Sequence, residues 1–135
     1  KIKYTFNDMD KFDLEKSHVF GATLTKVLSN NDGQITVWGT GEEERDLLYV
    51  DDLVDFVKLA IEKQKSKYVL YNCGYGSAIS IRDLVHKIID LSGEKIDVNY
   101  DTSQPTIKTS LALDCSKANT ELGWKPKDPP SNRRV

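Results

Sequence analysis

The run from Leu53 to Ile61 constrains this chain more than any other stretch. Leu53, Val54, Phe56, Val57, Ala60 and Ile61 recur at i, i+1, i+3, i+4, i+7 and i+8, the spacing of one broad apolar face on a helix of about 3.6 residues per turn. Asp55, Lys58, Glu62 and Lys63 fall outside that face. Such a helix is held by what its apolar side packs against, not by propensity alone. Asp51 or Asp52 stands where a side-chain oxygen would cap it.

The flanking segments say what it packs against. Gln34–Trp38 and Leu47–Val50 read as short strands, and Tyr68–Cys73 (YVLYNC) is a compact apolar run suited to a buried strand. Ile96–Tyr100 alternates as a half-buried strand. Between them lie helical patterns. Val19, Ala22, Leu24, Val27 and Leu28 follow Ser17, and Asn30-Asn31-Asp32-Gly33 ends that helix. Ile81, Leu84, Val85, Ile88 and Ile89 follow Ser80-Ile81-Arg82-Asp83, a capping box with Asp in the Glu position, and stop at Ser92-Gly93. Ser116 stands as the cap of a short helix through Leu122, ended by Gly123. Strands that alternate with helices predict an α/β fold.

Length and charge narrow the function. At 135 residues there is room for one domain; we expect residues 1–127 to form a single α/β segment and residues 128–135 a frayed tail. Charged residues make up 30% of the chain and net charge is −2, so no electrostatic case exists for nucleic acid or an anionic membrane. No apolar run reaches the roughly 18 residues that a membrane span needs. Cys73 and Cys115 have no CxxC spacing and no nearby His pair, which predicts free thiols and a cytoplasmic setting. The chain opens at Lys1 without Met, as a piece of a longer protein or a processed chain would.

Gly74-x-Gly76, after a strand and before a helix, has the outline of a dinucleotide-binding turn. Ile79 stands where the third glycine belongs, so the pattern reads as a turn. No GxxxxGK[ST] sequence occurs either. Asp51-Asp52 lacks a third locally spaced carboxylate for a hard cation, so no metal is expected. His86 falls on the polar side of its helix and reads as surface. Two residues keep two readings. His18, at a helix start after a charged loop, is a surface residue or a general acid/base. Arg45, directly after Glu42-Glu43-Glu44, is neutralised surface or a clamp for an anionic ligand.

Taken in order, DKFDLEKSHV (10–19), VWGTG (37–41), RDLLYVDDLVD (45–55), YNCGYG (71–76), SIRDLV (80–85) and LDCSKANTELGWKPK (113–127) resemble the C-terminal part of the extended short-chain dehydrogenase/reductases. Within these, the chain resembles the NAD(P)-dependent nucleotide-sugar epimerase/dehydratase family, above all its GDP-L-fucose synthase branch. The resemblance implies the substrate-binding part of a Rossmann-type fold, without its cofactor half. It also implies a nucleotide-diphosphate sugar as ligand and a 3,5-epimerase/4-reductase activity for the complete enzyme. A 4-epimerase, a dehydratase, or a non-catalytic binding or assembly module are the alternatives.

By the same resemblance His18 is the acid/base group of epimerisation, Arg45 and Lys26 contact the diphosphate, Trp38 lies near the sugar nucleotide, and Lys108 is a further cationic contact. NADP or NAD serves the full-length family, and none is expected to bind this segment alone. The family's cofactor loop and Tyr-x-x-x-Lys do not occur here, so hydride transfer by this chain alone is not expected. Association with a cofactor half, or with further copies, is. Phe6-Asn7-Asp8 departs from the family's Tyr-Gly-Pro, and Gly21 from its usual proline.

Overall fold

Ile35 and Val37 are buried between the exposed residues Gln34, Thr36 and Trp38, the alternation that a strand with one covered face produces. The computed structural model describes Thr5–Phe6, residues 19–104 and residues 109–127. The elements in chain order are β1 (Thr5–Phe6), α1 (Val19–Leu28), β2 (Gln34–Trp38), β3 (Glu44–Arg45), β4 (Leu48–Tyr49), α2 (Val50–Lys63), β5 (Ile79–Ser80), α3 (Ile81–Ser92), β6 (Asp97–Asp101) and α4 (Ser116–Leu122). The expected α/β class is what the chain adopts.

The described residues divide into two compact units. One holds Thr5–Phe6 with residues 45–78 and 111–127, and the other holds residues 19–44, 79–104 and 109–110.

In the second unit β2 and β6 run parallel, in register from Gln34 opposite Asp97 to Trp38 opposite Asp101. Asn30 sets the entry to β2: its Oδ1 accepts from Gly33 N at 2.7 Å and its Nδ2 donates to Gln34 O at 2.7 Å. Gly33, at φ +68°, takes the left-handed conformation that this turn requires. Helix α3 starts as its sequence predicts, with Ser80 Oγ accepting from Asp83 N at 3.0 Å, and stops at Gly93 with φ +74°. Its buried face is Ile81, Leu84, Val85, Ile88 and Ile89. At about 1.5–3 kcal/mol for each fully buried side chain of this size, that stripe is a main source of the unit's stability.

The first unit is built on β1 paired in parallel with β4, Thr5 opposite Leu48 and Phe6 opposite Tyr49. Its core is Leu48, Phe56, Cys73, Ala118, Leu122 and Trp124. The Phe56 ring meets Trp124 edge-on, with centroids 5.3 Å apart, and Tyr71 at 6.1 Å. Lys63 Nζ donates to Leu122 O at 2.9 Å, which satisfies a carbonyl at the C-terminus of α4 where a cation is favoured.

Four expectations fail in this unit. Ser116 does not cap α4 but is its first residue, after Cys115 and with no side-chain cap, and its N and Oγ both donate to Asp114 Oδ1. Asp51 and Asp52 do not cap α2. Helix α2 begins at Val50 after Tyr49, with no side-chain cap, and both aspartates lie in its first turn. Asp52 is buried and serves the chain's far end instead: its carbonyl accepts from Trp124 Nε1 at 3.0 Å and its Oδ1 from Lys127 N at 3.3 Å. The apolar run Tyr68–Cys73 forms no strand. Tyr71 and Cys73 turn towards the core while Tyr68 and Leu70 stay exposed, so it is extended chain covered on one side. Helix α2 shows the same division: Phe56 is buried, and Leu53 and Ala60 pack on the core, but Val54, Val57 and Ile61 are exposed.

Candidate functional site

Arg45 is followed by a carboxylate that cannot be solvated. Asp46 is buried, and its Oδ1 accepts from Tyr75 N at 2.7 Å while its Oδ2 accepts from Gly76 N at 3.1 Å and Leu113 N at 2.9 Å. A buried carboxylate is tolerated when donors of this kind surround it. The clamp joins three stretches that are far apart in sequence. Asn72 Nδ2 donating to Asp114 O at 2.9 Å, and the Cys115 thiol 3.5 Å from Gly74 O, fasten the same stretches. A Cβ at position 74 would lie 2.7 Å from Asp46 Oδ2 and 3.0 Å from Leu113 side-chain carbons, so glycine is required there by close approach.

This clamp tests whether Gly74-x-Gly76 suits a nicotinamide nucleotide. A dinucleotide loop offers free backbone N–H groups to phosphate. Here the N–H groups of Tyr75 and Gly76 are already spent on the Asp46 carboxylate, so the loop does not fit the cofactor.

The expected site residues are placed as follows. Arg45 is half-buried at the end of β3, its backbone fixed by the neighbouring clamp, and it makes an interaction of its own. An open hollow of about 620 Å³ lies in the same unit, walled by Gly76, Leu113, Asp114, Thr120 and Lys125. Arg45 does not line it. Lys26 and Trp38 belong to the other unit. Lys26 Nζ donates to Thr36 O at 2.7 Å, and partial burial holds its pKa below the ordinary lysine value. Trp38 ends β2 and is 59% exposed. His18 and Lys108 lie outside the described residues.

No local pattern singled out Arg82. Its Nη2 donates to Thr40 O at 2.9 Å, its backbone N donates to Gly41 O at 2.9 Å, and its guanidinium sits 4.9 Å from the centre of the Tyr100 ring. Together these fix the Gly39–Gly41 turn beside Trp38. Tyr100 pins the turn further, since a Cβ on Gly41 would come within 2.6 Å of its ring. The glutamate run before Arg45 is not uniformly solvated. Glu42 is exposed, Glu43 is buried, and Glu44 accepts from Ser110 Oγ.

Residues 7–74 match the model of the NAD dependent epimerase/dehydratase family. This chain belongs to that family. The GDP-L-fucose synthase of Sinorhizobium fredii is 35% identical over 125 residues, covering 90% of this chain and 39% of the relative. The probable GDP-L-fucose synthase 1 of rice (Oryza sativa subsp. japonica) is 33% identical over 127 residues, covering 92% of this chain and 38% of the relative. Among solved structures, Pal from Bacillus thuringiensis superimposes with a TM-score of 0.81 at 28% identity, over 98% of this chain and 41% of Pal. The chain thus spans about two fifths of the length of the curated relatives it matches. Its resemblance to the extended short-chain dehydrogenase/reductases and the Rossmann-type class holds. Members of this epimerase family use a nicotinamide nucleotide, and no described helix is long and apolar enough to cross a membrane.

Proposed function

We propose that this chain is the nucleotide-sugar-binding portion of an NAD(P)-dependent epimerase/reductase, with a GDP-linked 4-keto-6-deoxy sugar as substrate. The observation that carries the reading is similarity at 33–35% identity, over nine tenths of the chain, to relatives named GDP-L-fucose synthase. The nicotinamide nucleotide would supply the hydride for reduction at C4, from a site outside these residues. What this chain contributes is binding and proton movement. Arg45, on a backbone that cannot drift while Asp46 is clamped, grips the diphosphate, with Lys26 and Lys108 as further cations. Lys26 would exchange its bond to Thr36 O for a phosphate oxygen. Trp38 lies against the sugar nucleotide. His18 gives and takes the protons beside the ketone during 3,5-epimerisation.

Isothermal titration with a GDP-sugar tests the reading. The unaltered chain binds, and Arg45→Ala loses about 1.5–3 kcal/mol, the range for a hydrogen bond to a charged group. Equal affinity in the two proteins would remove Arg45 from the site. Equal affinity for GDP- and UDP-sugars would remove the assignment of the base.

A further inference from the structure

We propose that Arg82 is a positioning residue for the ligand: it holds the backbone beside Trp38 from the covered side of the β2–β6 pair. It thereby sets the pose of the Trp38 ring without touching the ligand itself. The inference rests on the proposed reading in one respect, that Trp38 lies against the sugar nucleotide.

The turn that follows Trp38 needs an outside hold. Gly39 and Gly41 sit at φ +83° and +77°, a region that glycine enters without steric cost, so two of its three residues carry little restraint of their own. Thr40 adds a local contact, its Oγ1 lying 3.3 Å from both N and Oε2 of Glu42. The start of the turn is tied to β6, with Gly39 N donating to Asp101 O at 2.9 Å. Its end is tied by one residue. Arg82 Nη2 donates to Thr40 O and Arg82 N to Gly41 O, both at 2.9 Å. Two consecutive carbonyls are thus held by the side chain and the main chain of a residue in the first turn of α3. That helix is itself fixed by its Ser80 cap and its buried stripe.

The hold comes from the side where a ligand is not. Along β2, Val37 faces the covered side and Trp38, the next residue, the open side. Tyr100 stands opposite Val37, and the Arg82 guanidinium lies 4.9 Å from the centre of its ring, a cation–π contact. The stem of Arg82 is there too, since a Cβ on Gly41 would come within 3.2 Å of Arg82 Cβ. The buried Tyr100 hydroxyl has no hydrogen-bond partner among the described residues, so what the ring offers Arg82 is its face. The outer face of Trp38 is left clear. A ring on a drifting backbone would have to be ordered at each binding event, and that ordering is subtracted from affinity. With Thr40 and Gly41 held in advance, the ordering is already done.

The test is a double-mutant cycle on the full chain, read by isothermal titration with GDP-mannose. Arg82→Ala alone should weaken binding by roughly three- to thirtyfold. In a Trp38→Ala background the same substitution should change affinity by less than about twofold, because no ring is left to position. Combined with Arg45→Ala, the Arg82 loss should persist. A general loss of stability would show in every background, so it does not reproduce this pattern. In the ligand-free protein, the emission that iodide quenches is that of Trp38, since Trp124 is buried, and its anisotropy should fall in Arg82→Ala. Arg82 is exposed, so the variant should fold. If it is unfolded at the titration temperature, Arg82→Lys, which keeps the charge and loses the planar fork, takes its place in the cycle. Equal Arg82 losses with and without the Trp38 ring, an unchanged anisotropy, or full affinity in Arg82→Ala would each overturn the inference. An unaltered chain that binds no GDP-mannose overturns the proposed function and this inference with it. Binding that Arg45→Ala weakens and Arg82→Ala does not overturns this inference alone.

Discussion

Arg45 and Asp46 are adjacent charges, and only the first could be singled out from the sequence. A lone arginine beside three glutamates is conspicuous. A carboxylate that binds Tyr75, Gly76 and Leu113 depends on partners roughly 30 and 70 residues away, which no local window reveals. Burial has a comparable effect on Cys73, whose thiol is pushed up from 9.0 to about 12, with burial as the largest cause. In the unfolded chain this thiol ionises near pH 9.0, while in the folded protein it keeps its proton. The stabilisation is complete below pH 9 and declines as the pH rises towards 12, since the unfolded state then holds fewer protons. Urea denaturation at a series of alkaline pH values should show that decline, with a shallower slope for Cys73→Ala. A slope unchanged by the substitution would assign the decline to other groups.

Elements whose ends are decided by neighbouring residues were legible; those decided by distant ones were not. Helix α3 has its cap at Ser80, its stop at Gly93 and its apolar stripe in one continuous stretch, and the structure reproduces all three. We expect Ser80→Ala to cost about 1 kcal/mol in a thermal or urea melt, the usual value for removing an N-cap oxygen. No loss would mean that the Asp83 N–H finds another acceptor. Strands β2 and β6 were equally plain, β6 from its alternation. The start of α2 was not, because Asp52 had two destinies that look alike in sequence. It could cap the helix, or it could meet Trp124 and Lys127 more than 70 residues on, and tertiary packing took the second. The segment Tyr68–Cys73 was read as a buried strand because composition reports that both its sides are apolar. It does not report whether both sides are covered.

For the whole molecule, the α/β class and the family could be read from the order of short motifs, whereas the site could be read only in part. Trp38 is exposed at the end of β2, and Arg45 is half-buried at the end of β3. Arg82, which secures the turn beside Trp38, had been absorbed into a helix-capping pattern. Because the glycine turn of the first unit is closed to phosphate, this chain mixed with NADPH and a GDP-4-keto-6-deoxy sugar should leave the absorbance of NADPH at its starting value. Steady oxidation would mean that the chain holds the cofactor in a way its glycine turns do not suggest.

The Asp46 clamp can also be seen as a small anion receptor that comes with its guest already attached. Three N–H groups converge on one carboxylate, and the chain itself delivers that carboxylate on a single methylene. Asp46→Ala removes the guest and leaves the host. The variant should be destabilised, and formate, small enough to enter and bearing the same two oxygens, should restore part of its melting temperature, whereas the unaltered protein gains nothing from formate. If formate shifts both proteins equally, the receptor collapses once its guest is gone, and the carboxylate builds the three-stranded knot around it instead of merely filling it.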